Sequence, residues 1–568
     1  VNVENLTGGS GADTLTGDSA VNILDGGTGN DTLLGDAGND TLVGGTGTNV
    51  LNGGADIDTA DYSAQTDAVT INLSTSGTGT NISDTYTSIE NVMGGAGADI
   101  LTGDGGVNTL DGGAGNDTLL GGAGADVLIG GDDDFVSYQG SGTTVTVDLT
   151  DGDADGWADE LGFRGDAAGD LYYLINNVIG GNGVNKLTGN PNANTLIGGT
   201  SNDTFFDGDI NIASADYIDG GVGNGDTVSY RDWIAGGLTF DMGHWQNSSL
   251  AVRIDTLLNI EQVAGTQSTD TFYADVANGY LFQGLSGNDV YYLSSNSIGD
   301  SVLESSGTNT ISYAIDTSDY SANLVGVTID LVTNAHSGGA VNDKFFLSDF
   351  QIWELTGGDD SFTASNTNTE GGLSSTFKVI QTISAGAGDD IINGSEYLDV
   401  VTNGANTIYG GTGNDTLDGK GGADRLYGED GADTLIVSNA NLPDVAIIDG
   451  GADANIDTLQ ITGIGAGGSL ALNTFDAKVT SIETLDILDG ANSTLSFGLT
   501  DIQALVDDGN ASSLTIRMDS GDTLSFTFGA NETASSAFDP GWASGGTTHY
   551  TFADSVTLAT ATLDLVAV

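Results

Sequence analysis

The sequence predicts an all-β protein, a largely continuous β-solenoid closed by a C-terminal β cap. Three observations predict it. A nine-residue phrase of glycines, one aspartate and one apolar residue repeats in tandem. A slower phrase recurs at intervals of 86, 86 and 85 residues. Strongly helical periodicity is absent along the chain. Self-similarity at a fixed period marks solenoids, whose units bury their apolar faces only against their neighbours.

The fast register runs without a gap through GGSGADTLT (8–16), GDSAVNILD (17–25), GGTGNDTLL (26–34), GDAGNDTLV (35–43) and GGTGTNVLN (44–52). A second block covers 94–129, a weaker third 180–206 and a fourth 410–436, with isolated copies at 284–292 and 385–393. The slow phrase reads NVENLTGG from Asn2, SIENVMGG from Ser88, LINNVIGG from Leu174 and NIEQVAGT from Asn259, with a degenerate QIWELTGG from Gln351. Between its copies lie strand-like linkers, such as DTADYS then VTINL, and DFVSY then VTVDL. The chain therefore divides into modules at 1–93, 94–179 and 180–264, a degenerate stretch at 265–384, a further repeat block at 385–457 and a C-terminal segment at 458–568. The second nonapeptide of each of the first three modules carries Asn22, Asn108 or Asn194 where its neighbours carry Asp. A substitution in the same slot each time points to module duplication.

Among 568 residues, 80 are acidic and 10 are Lys or Arg, for a net charge of -70. That charge argues against nucleic acid and anionic membranes as partners. It also raises the prospect of a disordered acidic tail. However, 38% of residues are hydrophobic, only 3 are proline and the glycines keep fixed spacing. The absence of cysteine excludes disulfides, thiolate metal sites and a cysteine nucleophile, and it leaves secretion open. No run of about 18 apolar residues is present to span a membrane. Val1 is not an initiator methionine and no apolar signal segment follows, which points to a processed chain or a piece of a longer product.

Glycines admit positive φ, so a GGxGxD stretch folds into a tight turn that exposes its carbonyls. The three residues after it form a short strand with the central side chain inward. Two nonapeptides then make one turn, successive turns stack in parallel, and Leu15, Leu24, Leu33, Leu42 and Leu51 line a thin core. So thin a core does not outweigh the entropy of ordering the glycines, nor the repulsion of stacked carboxylates. Calcium, which takes six to eight hard oxygen ligands in irregular geometry, offsets both. The predicted ligands at the sixth position are Asp13, Asp31, Asp40, Asp99, Asp117, Asp126, Asp203, Asp289, Asp390, Asp415, Asp424 and Asp433. Asp58 and Asp134, just beyond the first two blocks, are counted with them. A plainer reading of the same spacing is a solenoid whose aspartates only cap turns.

The tandem GGxGxDxUx register resembles the RTX (repeats-in-toxin) family of secreted bacterial calcium-binding proteins. The resemblance implies a parallel β-roll, folding triggered by calcium outside the cell, and type I export with an uncleaved C-terminal signal. Where the sixth position is Asn, at 22, 49, 108, 185, 194 and 406, a site is weakened or replaced by an amide ladder. Residues 205–385 depart furthest from the motif.

DGDADGWADE (151–160) places Asp151, Asp153, Asp155 and Asp159 at EF-hand ligand positions 1, 3, 5 and 9, but Phe163 stands where the bidentate Glu belongs. It reads as a partial calcium loop or as a solvated acidic linker. His244, His336 and His549 stand alone, and there is no HExxH or GxSxG motif. Trp233, Trp245 and Trp353 suit either core packing or sugar stacking. The C-terminal segment suggests a compact β domain with a short helix near 501–506, and its last residues resemble the export signal of the family. Three functions fit. The first is a non-enzymatic structural protein that self-associates into an extracellular fibre, sheath, matrix or surface layer. The second is an adhesin for a cell-surface glycan, and the third is the carrier part of a secreted hydrolase.

Overall fold

The structure is a computed structural model. It describes residues 4–131, 133–150, 162–206, 215–233, 236–242, 246–248, 255–274, 279–293, 300–306, 308–313, 315–316, 321–322, 327–330, 335–338, 344–346, 350–356, 358–363, 382–394, 406–465, 469–471, 478–487, 494–497, 513–518, 523–526, 532–534, 547–554 and 560–567. The chain divides into two compact units, Val1–Ser268 and Thr269–Val568.

In the first unit, Thr14–Thr16, Thr32–Ala37 and Val50–Ala55 pair in parallel, with Leu15 opposite Leu33 and Leu33 opposite Leu51. Asn5–Ser10, Ile23–Thr28 and Thr41–Val43 form a second parallel set, with Leu6 opposite Leu24 and Leu24 opposite Leu42. Partners lie 18 residues apart, so two nonapeptides complete one turn. Most rungs are three residues long because glycine turns bound them on both sides. Their middle side chain is buried and its neighbours half-buried, which is the alternation a pleated strand imposes. Leu33, Leu101, Leu110 and Leu119 are fully enclosed. Leu15 is only half-buried, since its strand pairs with a neighbour on one side only.

The linkers also supply rungs. Thr59–Asp61 pairs in parallel with Asn91–Met93, and Thr70–Asn72 with Ile100–Thr102. The extra residues leave the stack as short antiparallel excursions, such as Gly77–Gly79 against Thr70–Asn72 and Gly162–Arg164 against Thr146–Asp148. The slow period is therefore a run of plain turns followed by turns carrying insertions. Among the described residues the one helical element is a 3-10 turn, Gly165–Ala167.

The second unit has the same parallel logic with a bulkier interior. Phe272 stacks on Tyr291 with centroids 4.9 Å apart, and Trp353 packs against Phe362 at 5.1 Å. From Ile408 through Leu417, Leu426 and Leu435 the core is again aliphatic. Trp233 and Trp353 are both buried, which assigns them to cores; Trp245 lies outside the described residues. Parallel pairing continues through Thr434–Ser438, Thr458–Thr462, Thr484–Ile487, Ser513–Met518 and Thr560–Ala567. Beyond it Thr547–Asp554 and Glu532–Ala534 pair antiparallel, so this sheet ends on strands that break the stacking direction. The helix expected near 501–506 lies outside the described residues.

Tight stacking explains the glycines of the turns. Gly115 has φ +134°, and a Cβ there would collide with the carbonyl of Gly97 one turn earlier. A side chain at this position meets both backbone strain and a fixed neighbour.

Leu119→Ala, in a fully packed rung, is expected to destabilise the first unit by about 3 kcal/mol in urea unfolding at saturating calcium. Leu120→Ala, one residue along and half-buried, is expected to have a much smaller effect on the same transition.

Candidate metal centre

The sixth-position aspartates form ladders along the stack. Each carboxylate accepts, through Oδ1, the backbone N–H of the equivalent slot one turn earlier. The Asp99 N–H donates to Asp117 Oδ1 and the Asp117 N–H to Asp134 Oδ1, both at 2.6 Å. In the second unit the N–H of Asp360 donates to Asp390, Asp390 to Asp415, Asp415 to Asp433 and Asp433 to Asp457, at 2.7–2.9 Å. Each bond satisfies an N–H at a turn that no strand partner reaches, and it draws the carboxylate inward.

The second oxygen is the anomaly. Oδ2 of Asp31, Asp40, Asp58, Asp117, Asp126, Asp203, Asp226, Asp390, Asp415 and Asp433 is buried and has no hydrogen-bond partner among the described residues. A buried anionic oxygen without a partner is costly and needs an explanation. Its surroundings are backbone oxygens. A Cβ built on Gly26 would lie 2.6 Å from Asp31 Oδ2 and 2.8 Å from the Gly44 carbonyl oxygen of the next turn. On Gly8 it would lie 2.8 Å from Asp13 Oδ2 and 2.5 Å from the Gly26 carbonyl oxygen. The first-position glycine thus leaves a small cradle in which carboxylate and carbonyl oxygens converge. Among the described residues no three acidic or imidazole side chains cluster, so a cation here takes most of its ligands from the backbone. Such a set of hard oxygens fits calcium.

Burial pushes many of the ladder carboxyls up from their ordinary value of 3.8, Asp40 and Asp126 among them, and adjacent carboxylates add to the effect for several. Asp58, Asp117, Asp203 and Asp415 rise to about 6. Asp226, Asp390, Asp424, Asp433 and Asp457 rise to about 7. The backbone N–H bond at each opposes the rise without cancelling it. A cation in the cradle would supply the missing positive charge, held by the Oδ2 atoms and turn carbonyls.

Of the residues expected from sequence, Asp31, Asp40, Asp58, Asp99, Asp117, Asp126, Asp134, Asp203, Asp289, Asp390, Asp415, Asp424 and Asp433 are all buried in ladder positions. Asp13, in the first rung, is half-buried, and its Oδ2 accepts the Gly9 N–H at 2.8 Å. Both oxygens of Asp99 accept backbone N–H groups, from Val69 and Gly95. Asp151, Asp153, Asp155 and Asp159 lie outside the described residues.

Asparagine slots satisfy themselves differently. Nδ2 of Asn49, Asn185 and Asn406 donates to the carboxylate one rung on, that of Asp84, Asp203 and Asp424, at 2.8–2.9 Å. Asn108 and Asn194 instead donate to the carbonyls of Glu90 and Asn176, at 2.9 and 2.8 Å. An amide N–H stands here where the cradle would hold a cation.

Sequence reasoning missed a third kind of slot. Asp84, Asp170 and Asp255, all in linkers, are buried ladder members whose Oδ2 accepts a tyrosine hydroxyl. Tyr62 donates to Asp84 at 2.8 Å, Tyr138 to Asp170 at 2.7 Å and Tyr230 to Asp255 at 2.9 Å. Burial holds the hydroxyls of Tyr62 and Tyr138 far above their ordinary pKa, so they remain protonated donors. Asp216, Asp226, Asp270, Asp300, Asp360 and Asp457 were missed as well, and all are buried. The signal common to them is an aspartate two residues before the inward side chain, as in DTV at 226–228, whatever the glycine count before it.

A parallel stack with one inward carboxylate per half-turn, lodged against turn carbonyls, defines a calcium-binding β-solenoid. The model of the RTX calcium-binding nonapeptide repeat matches residues 3–33, 25–60, 86–119, 112–135, 175–208, 381–396 and 400–435. The chain carries RTX nonapeptide repeats in these stretches of both units. No curated protein matches its sequence.

Two outcomes are expected. The raised carboxyls bind more protons folded than unfolded between 3.8 and about 7, so their contribution to stability is complete below 3.8. It is lost as pH rises through 6 to 7. Urea midpoints in chelator are therefore expected to fall from pH 4 to pH 7.5, and calcium added at pH 6.5 is expected to release protons measurable in a pH-stat. Asp117→Asn keeps an acceptor for the Asp99 N–H and turns the unpartnered oxygen into a donor. It is expected to raise stability in chelator by about 1 kcal/mol while weakening calcium binding.

Proposed function

We propose that this chain is a secreted structural protein whose calcium-folded solenoid builds an extracellular fibre, sheath, matrix or surface layer. The observation that carries this reading is the extent of the stack. Parallel rungs form the long sheets of both units, and buried aspartate ladders recur from Asp13 to Asp457. Stacked rungs thus dominate the described residues, and the reading assigns the chain no catalysis of its own. Trp233 and Trp353, the two tryptophans among the described residues, are enclosed in cores, which favours the structural reading over a glycan-binding adhesin.

The physical chemistry gives export a direction. In a calcium-poor cytoplasm, 80 acidic residues against 10 basic ones oppose compaction. Outside, calcium neutralises the cradles and its binding free energy becomes folding free energy. No described helix is long and apolar enough to cross a membrane. Self-association through the edges and ends of the stack then extends the solenoid beyond one chain.

The test is electron microscopy with circular dichroism on the purified chain, in chelator and after millimolar calcium is restored. The expected outcome is a gain in β structure together with the appearance of ordered fibres or sheets when calcium is restored. β structure with only dispersed monomers would overturn the assembly role and favour the adhesin or the hydrolase carrier.

A further inference from the structure

Every aspartate ladder must end, and three end on a glutamate, two of them in the slow phrase and one in the similar SIET at 481–484. The Asp58 N–H donates to Glu90 Oε2 and the Asp226 N–H to Glu261 Oε2, both at 2.9 Å, and the Asp457 N–H donates to Glu483 Oε2 at 2.8 Å. This is the ladder bond, made by a glutamate in place of the sixth-position aspartate.

The carbonyl half of the cradle is reproduced as well. Ser88, Asn259 and Ser481, each two residues before its glutamate, take left-handed φ values of 48°, 52° and 55°. That conformation is uncommon for residues with a side chain. It turns their carbonyls toward the preceding turn. A Cβ built on Gly53 would meet both the Ser88 carbonyl and Asp58 Oδ2. On Gly220 it would meet the Asn259 carbonyl and Asp226, and on Gly450 the Ser481 carbonyl and Asp457. The isoleucine between, at 89, 260 or 482, is buried and anchors the phrase. Five residues of glycine turn plus a short aspartate are thus replaced by two residues plus a longer glutamate.

Each phrase brings a second carboxylate beside a buried one. Asp58 and Asp226 are fully buried, and the Oδ2 of each has no hydrogen-bond partner among the described residues. That of Asp58 faces the Gly53 cradle beside the Ser88 carbonyl, and that of Asp226 lies against Gly223 in the same turn. The neighbouring glutamate repels both, and Glu483 likewise repels Asp457. We propose that the Ser/Asn-Ile-Glu phrases close three further calcium sites: Asp58, Glu90 and the Ser88 carbonyl; Asp226, Glu261 and the Asn259 carbonyl; Asp457, Glu483 and the Ser481 carbonyl. The sites rest on the reading that the aspartate cradles bind calcium, and they staple the return of each linker to the stack it left. The copy of the slow phrase from Leu174 supplies a contrast. Leu174 keeps the left-handed φ, at 57°, and Ile175 is buried. Asn176, however, accepts from the Asn190 and Asn192 side chains, and this copy offers no carboxylate for such a site.

The test is calcium stoichiometry of the full chain by equilibrium dialysis, for wild type, Glu90→Gln, Glu261→Gln, the double variant and Asp117→Asn. Glutamine keeps an oxygen for the ladder N–H and replaces the other with an NH2 group that repels a cation. The expected result is one ion lost per single glutamate variant and two in the double, with circular dichroism in saturating calcium unchanged. If wild type and Asp117→Asn differ while the glutamate variants bind as many ions as wild type, the proposal is overturned and the cradle reading stands. If wild type binds no calcium, both fall. Should a glutamine variant lose its β structure, Glu90→Asp and Glu261→Asp are measured instead. These keep the charge but shorten the reach by one methylene, and an unchanged count and affinity would overturn the proposal.

Discussion

One hydrogen bond organises this protein, that between a buried carboxylate oxygen and a backbone N–H one turn earlier. It fixes the stacking register independently of the core, because it joins slots 18 residues apart wherever the repeat is regular. Where a linker intervenes the bond survives with a longer loop, as between Asp126 and Asp170, 44 residues apart. The same bond creates the central liability, since satisfying Oδ1 leaves Oδ2 buried. Much of the remaining architecture consists of ways to meet that second oxygen.

Three ways can be told apart. In plain turns the oxygen faces turn carbonyls, an arrangement that takes a cation. In asparagine slots an amide donates to the neighbouring oxygens. In linker turns a tyrosine hydroxyl donates to Asp84, Asp170 or Asp255. The last two need no metal. The first unit therefore alternates runs whose electrostatics depend on calcium with turns that satisfy themselves, one tyrosine-bonded turn to each linker. In a solenoid, stability is approximately a sum over neighbouring repeats, so such turns bound the calcium-dependent runs on either side. Insertions are tolerated at them because both the rung and its buried carboxylate are preserved while the extra residues leave as antiparallel excursions.

Much of this was legible in the sequence. The inward leucines, the pairing of two nonapeptides per turn and the aspartate slots follow from period and residue type, because both repeat locally and every rung obeys the same alternation. The ladder members of the linkers were not legible. Asp84 and Asp170 lack the glycine lead, and their partners Tyr62 and Tyr138 lie 22 and 32 residues away in the chain. Nor does spacing alone show that Glu90 and Asp58, 32 positions apart, meet, since the linker between them adds rungs of its own and an antiparallel excursion.

The sequence by itself determined the rung. Nine residues carry the turn, the strand, the inward side chain and the carboxylate, and steric and hydrogen-bonding rules act within that span. Only the tertiary structure decided what each carboxylate faces, whether a turn carbonyl, an amide, a tyrosine or a glutamate. That choice depends on what the next turn places above or below the slot. In a stack interrupted by linkers of unequal length, the next turn comes from a part of the chain that local pattern does not reach.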